Sequence, residues 1–303
     1  GNQTLQRDSA GNTVTRTYNA QNQLLTETTY LTPDPDGAGS GQPSQPLTTR
    51  YVYDAGGKDL PRFVITPDGR VTELRYNAYG EKIASISYLA TLYDTSALTA
   101  GDAPTESVMA AWAASQDKTQ ISRSDMRYDA RGQLQGVTVW ATTDATGEGI
   151  ANGTESVLHY TYDQTGKLLQ SVDTRGTVSS FTYDGLGRVL TSVNGLNQTT
   201  VSTYDDAHNK STVTTAGGLS ATSVYDKAGR LISVTQSSAG KDLGTISYGY
   251  DADGRLRMVQ DATGVHAWML YDAAGRKVAD IDGNGSLVEY LYNADNQLTG
   301  TIV

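Results

Sequence analysis

Short runs of apolar and β-branched residues alternate along this chain with clusters of Gly, Asp and Asn. Residues 177–183 and 188–193 are typical, being rich in Val, Thr, Ser and Tyr and closed at each end by turn residues. Runs of this length and composition predict β-strands. Two strands and two turns recur every 21 residues over much of the chain, which predicts linked β-hairpins. A hairpin cannot bury a face alone, so neighbouring hairpins are expected to pair edge to edge. The predicted fold class is all-β: repetitive antiparallel hairpins in one long sheet.

The repeat has a readable core, Tyr-Asp/Asn-x-x-Gly-Arg/Gln/Lys-Leu/Val. Its tyrosines are Tyr18, Tyr53, Tyr76, Tyr128, Tyr162, Tyr183, Tyr204, Tyr225, Tyr250, Tyr271 and Tyr292, eleven of the 19 in the chain. From Tyr162 onward the spacings are 21, 21, 21, 25, 21 and 21 residues; before it they are 35, 23, 52 and 34, so the first half carries insertions. Each part of the motif suits a turn. Asp can accept backbone N–H groups, and Gly187, Gly229, Gly254 and Gly275 supply the positive-φ position. The next Arg or Lys can reach back to the Asp carboxylate. Asn22 and Asn296 stand in for the glycine, as the commonest non-Gly residue in the left-handed region; His208 falls in the same slot after Tyr204. A second turn precedes each tyrosine by about ten residues, as at Asp68-Gly69-Arg70 and 261–264.

The chain reads as one repeat domain, 1–303, with three interruptions. Residues 31–49 hold four of the seven prolines and predict a surface loop. In the insertion at 89–124, the Ala-rich stretch 104–114 lacks strand alternation and predicts a short helix capped by Asp102 or Thr105. Val108, Met109, Trp112 and Ala113 would share its packed face. Residues 142–155, rich in Gly, Thr and Asn, predict an exposed loop.

Tyr183-Asp184-Gly185-Leu186-Gly187-Arg188-Val189 and Tyr250-Asp251-Ala252-Asp253-Gly254-Arg255-Leu256 closely resemble the motif of the Rhs/YD-repeat family, and the resemblance covers nearly the whole chain. That family includes bacterial Rhs polymorphic toxins, the B and C components of insecticidal toxin complexes, and animal teneurins. The resemblance implies a β-sheet strip that curves or spirals into a hollow shell, often enclosing a C-terminal toxin domain, in a secreted or surface-associated bacterial protein. Full-length bacterial members continue into a core segment rich in Asp-Pro-Leu-Gly, where self-cleavage occurs. The repeats here run to Val303 without it, so the expectation is a piece of wall rather than a closed cocoon.

Composition narrows the chemistry. With 33 acidic and 23 basic side chains the net charge is −10, which argues against a nucleic-acid-binding surface. There is no cysteine, hence no disulfide framework, thiolate metal site or Cys nucleophile. No window of roughly 18 apolar residues predicts a membrane span. His159, His208 and His266 lie far apart in sequence, and neither a Gly-x-Ser-x-Gly nor a phosphate-binding glycine loop is present. A catalytic site and an organic cofactor are therefore not expected.

Two features compete with a purely structural reading. Asp280, Asp282 and Asn284, with Gly285 at the sixth position, match the opening of a calcium loop. The twelfth position is Leu291 rather than Glu, and the segment falls where an inter-motif turn belongs. Exposed tyrosines with Trp140 or Trp268 offer aromatic faces for sugars, which makes an adhesion or carbohydrate-binding module, with a cell-surface glycan or receptor as partner, the alternative to a shell segment. Packing between hairpins is the competing role for those rings.

Overall fold

The alternation of strands and turns is realised as 23 β-strands and one α-helix in a computed structural model that describes residues 2–34, 37, 43–57 and 59–303. The chain divides into two compact units, residues 1–162 with 171–176, and residues 163–170 with 177–303. In each unit every described strand pairing is antiparallel and joins strands adjacent in sequence, as linked hairpins require.

The first unit contains β1 (Leu5–Arg7), β2 (Thr13–Tyr18), β3 (Leu24–Thr32), β4 (Ser44–Tyr53), β5 (Pro61–Ile65), β6 (Val71–Tyr76), β7 (Lys82–Tyr88), α1 (Glu106–Ala114), β8 (Ile121–Tyr128), β9 (Leu134–Trp140) and β10 (Ser156–Tyr162). Its core lies on the sheet face opposite the motif tyrosines. Val52 pairs with Phe63, Phe63 with Glu73, Glu73 with Ile86, and Ile86 with Arg123, so these side chains line one face. A parallel row runs Arg50, Ile65, Val71, Tyr88, Ile121. α1 covers both rows with Met109 and Ala113, while Trp112 stands edge-on to Tyr88 with ring centres 5.2 Å apart. Phe63, Ile65, Ile86 and Met109 are fully buried, each stabilising by about 1.5–3 kcal/mol.

The buried polar groups on this face are paired. Glu73 accepts from Arg75 Nε at 2.9 Å and from the Tyr88 hydroxyl at 2.7 Å. Burial opposes its charge, but Arg75, Tyr88 and Arg62 outweigh that and hold its carboxyl below the usual glutamate value. Arg50 donates to the carbonyls of Asp102, Thr48 and Thr99, tying the insertion to the sheet.

Four expectations are corrected here. β3 runs to Thr32 and β4 starts at Ser44, with Thr32 opposite Ser44 and Tyr30 opposite Pro46, so much of 31–49 is hairpin. Threonine-rich alternation outweighs proline content there, and Thr28 and Thr48 bond across the strands at 2.9 Å. Residues 35, 36 and 38–42 of that stretch lie outside the described residues. The insertion ends at residue 120, because Ile121 already pairs with Tyr88. The 142–155 segment is not wholly exposed: it folds back through a Thr143–Gly149 bridge, buries Thr143, and receives Arg123 Nη1 on the Gly147 carbonyl at 2.6 Å. In α1, Thr105 is the cap, accepting from Val108 N at 3.4 Å, and Val108 itself faces outward.

Beyond β11 (Leu168–Val172), which spans the division in sequence, the second unit contains β12 (Val178–Tyr183), β13 (Val189–Val193), β14 (Thr199–Asp205), β15 (Lys210–Thr214), β16 (Leu219–Tyr225), β17 (Leu231–Ser238), β18 (Lys241–Tyr250), β19 (Leu256–Gln260), β20 (His266–Tyr271), β21 (Lys277–Ile281), β22 (Leu287–Tyr292) and β23 (Leu298–Ile302). Among its described residues the only buried apolar side chain is Ala279. What orders this unit is therefore not a covered core but contact between successive repeats.

Candidate functional site: the lock between repeats

The turn after Tyr183 shows how the motif works. Asp184 Oδ1 accepts from Leu186 N and Arg188 N, both at 2.9 Å, while Gly187 N donates to the Asp184 carbonyl at 3.0 Å. Closing that bond puts Gly187 at φ 83°, where a Cβ is strained. Gly229, Gly254 and Gly275 occupy the same position at φ 78°, 83° and 84°. Arg188 Nε returns to Asp184 Oδ2 at 2.7 Å, and Arg230, Arg255 and Arg276 do the same to Asp226, Asp251 and Asp272. These N–H groups favour ionised carboxylates. At Asp163 the Lys167 backbone N–H, followed by the Thr165 hydroxyl, pulls the carboxyl down to about 2.

The same arginine also reaches forward. Arg188 lies over the ring of Tyr204, 4.1 Å from its centre, and Arg230, Arg255 and Arg276 lie 4.9–5.0 Å from Tyr250, Tyr271 and Tyr292. The tyrosine reaches backward in turn. Tyr204 donates its hydroxyl to Val189 O, Tyr271 to Leu256 O and Tyr292 to Lys277 O, each at 2.9 Å. Tyr76, Tyr128, Tyr162, Tyr183 and Tyr250 make the equivalent bond to the start of the preceding outgoing strand. Tyr18 donates to Gln3 O.

The bulge explains why a hydroxyl is needed. Thr182 pairs with Thr191 but Tyr183 with Val189, so one residue is skipped beside this tyrosine, as it is beside Tyr225, Tyr250, Tyr271 and Tyr292. β13 and β14 then pair at only three positions, Thr191–Val193 against Thr199–Val201. The Val189 carbonyl lies outside that ladder, and the Tyr204 hydroxyl supplies its donor. Sequence reasoning identified the Asp, Gly and Arg roles within a turn. It missed both contacts between repeats, because their partners lie on the neighbouring repeat.

One repeat differs, and it overturns the placing of His208. After Tyr204 the left-handed residue is Asn209, at φ 49°, one position beyond the expected slot. Asp205 pairs directly with Lys210 without a bulge, and the four residues between them form the turn. Thr203 still faces Thr212, as Thr182 faces Thr191, so the register beyond the turn is unchanged. Because the strands stay together, β15 and β16 pair at five positions, and Tyr225 N reaches Asn209 O at 2.8 Å. Among the described residues of the second unit, Tyr225 is consequently the motif tyrosine whose hydroxyl makes no backbone bond of this kind.

The remaining candidates are placed as follows. Asp282 Oδ1 accepts from Asn284 N and Ser286 N within its own turn, and Asp280 takes Lys277 Nζ at 2.8 Å and the Tyr290 hydroxyl at 2.6 Å. The two carboxylates thus serve different partners, and no group of three or more His, Cys, Asp or Glu suited to a metal occurs among the described residues. Trp140 donates Nε1 to Asp125 at 2.6 Å and packs against Gly149, where a Cβ would collide with its ring. Trp268 is exposed and stacks on His266 with ring centres 5.8 Å apart. Among the described residues no helix is long and apolar enough to cross a membrane.

The crystal structure of TcdB2-TccC3-Cdc42 is similar over 96% of this chain and 16% of its own, with 14% identity and a TM-score of 0.53. The pore form of the Photorhabdus luminescens Tc holotoxin covers 98% of this chain and 14% of its own, with 16% identity and a TM-score of 0.47. The chain therefore spans less than a fifth of either solved chain. No curated protein matches the sequence. The family model described as Teneurin YD-shell matches residues 116–302, more than half of the chain. On that match, and with most of its motif tyrosines bonded to the preceding repeat, this chain belongs to the Teneurin YD-shell family.

Proposed function

We propose that the chain is a structural, non-enzymatic stretch of shell wall in a larger secreted or surface protein of bacterial type, enclosing or presenting a toxin or effector domain. The observation that carries this reading is the lock itself. Asp, Arg and Tyr, the side chains best suited to chemistry, are engaged by neighbouring turns and strands in repeat after repeat. The face opposite the tyrosines in the second unit supports the enclosing role, since Met258, Trp268, Ile281 and Leu287 stand side by side there. Limited proteolysis of the longer parent protein tests it. Changing Tyr204, Tyr271 and Tyr292 together to Phe should open the wall and shorten the survival of an enclosed domain. Equal survival with and without the lock would contradict the shell role.

The exposed stack of Trp268 on His266 favours the second reading, a carbohydrate-binding surface. A glycan array with the 303-residue chain and with Trp268→Ala separates the two. Binding lost in the variant supports recognition, and no binding to any glycan counts against it.

A further inference from the structure

The irregular repeat leaves a seat empty. In three regular repeats of the second unit the basic side chain of one motif fills the space over the next motif glycine. A Cβ built on Gly187 would meet Lys167 Cε at 2.7 Å, on Gly254 it would meet Arg230 Nη1 at 3.2 Å, and on Gly275 Arg255 Nη1 at 3.1 Å. On Gly229 it would meet nothing within 4 Å, because Asn209 stands where the preceding motif would place arginine. The result is a cleft of about 390 Å³ whose lining includes Tyr204, Asn209, Lys210, Tyr225, Lys227 and Gly229.

Charge decides what the cleft can take. Two carboxylates line it, and each is held by an arginine: Asp206 shares Arg188 with Asp184, through two bonds of 2.6 and 3.0 Å, and Asp226 holds Arg230 at 2.7 Å. Asp205, opposite Lys210 in the ladder, takes His208 Nδ1 at 2.7 Å. Lys210 and Lys227 form no ion pair among the described residues. The Tyr225 hydroxyl has been released from backbone duty, since the N–H of Tyr225 closes onto Asn209 O instead. Lys210, Lys227 and Tyr225, with no ion pair or hydroxyl bond of their own among the described residues, thus line one recess of a chain whose net charge is −10.

We propose that this recess binds an oxyanion, with Lys210 and Lys227 supplying charge, the Tyr225 hydroxyl a hydrogen bond and its ring the floor. The shared chemistry is a phosphate, sulfate or carboxylate group, free or carried on a sugar. The site follows from the departure of one repeat from the lock and does not depend on what the wall encloses.

Amide chemical-shift titration of the full 303-residue chain tests it, with inorganic phosphate in one arm and a sulfated disaccharide in the other. Saturable shifts centred on Asn209, Tyr225 and Gly229 are expected. Tighter binding of the disaccharide identifies a sugar-borne anion, and equal binding a free one. Lys210→Ala with Lys227→Ala should weaken binding by about tenfold or more, whereas Lys241→Ala, a lysine elsewhere on the surface, should not. A second variant, His208→Gly with Asn209→Arg, restores the regular motif and refills the seat; it should fold, gain the Tyr225 backbone bond and lose the anion. Absent or non-saturating shifts at those amides, or undiminished affinity in both double variants, would overturn the proposal.

Discussion

At the scale of single residues, stability is set by turn geometry and by buried charge. Gly254 and Gly275 sit at positive φ with an arginine of the preceding repeat just above. Replacing Gly275 by Ala should cost about 1–2 kcal/mol from the left-handed backbone alone, read as a lowered urea midpoint. Glu73 gives a contrasting prediction. Glu73→Gln removes a charge that Arg75, Arg62 and Tyr88 all address, and should destabilise the first unit by about 1–3 kcal/mol. Because the folded carboxyl lies below its ordinary value of 4.5, the stability it contributes is full above that value and is lost as pH falls through the folded one. The same sign holds for the turn aspartates. Asp163, held at about 2, keeps its contribution above 3.8 and gives it up between there and 2. Acid titration followed by circular dichroism should show no loss near neutrality and a progressive one below about pH 4.

At the scale of elements, what was legible in the sequence was whatever a turn or helix decides locally. Asp184 accepting its own turn amides, Arg188 returning to it and Thr105 capping α1 all involve partners within five residues. The Tyr204 hydroxyl bond was not legible, because Val189 lies 15 residues away and its carbonyl is exposed to that donor only through the bulge. His208 was misplaced for a related reason: counting from Tyr204 took the motif spacing to hold in every turn, whereas four turn residues between Asp205 and Lys210 shift the left-handed position to Asn209. Likewise, the proline content of 31–49 hid a hairpin extension stabilised by Thr28 and Thr48. α1 makes its own prediction. Met109→Ala should cost about 2–5 kcal/mol and raise hydrogen exchange across β5–β8, which α1 shields. Val108→Ala, on the outer face, should stay within about 0.5 kcal/mol.

At the scale of the whole molecule, the two units reach order by different routes. The first buries Phe63, Ile65, Ile86 and Met109 beneath an insertion, so its stability resembles that of an ordinary hydrophobic core. The second has almost no buried apolar side chain and depends on nearest-neighbour contacts from repeat to repeat, as in other repeat proteins. Its unfolding should therefore be broader and less cooperative than that of the first unit, which calorimetry of the intact chain would reveal as two transitions of different width. The measurement that tests the central claim most directly is a tyrosine-to-phenylalanine series read by urea denaturation. Tyr204→Phe, Tyr271→Phe and Tyr292→Phe should each lose about 0.5–1.5 kcal/mol, while Tyr225→Phe, already free of the lock, should lose nothing measurable. Equal losses at all four positions, or none at any, would contradict the lock.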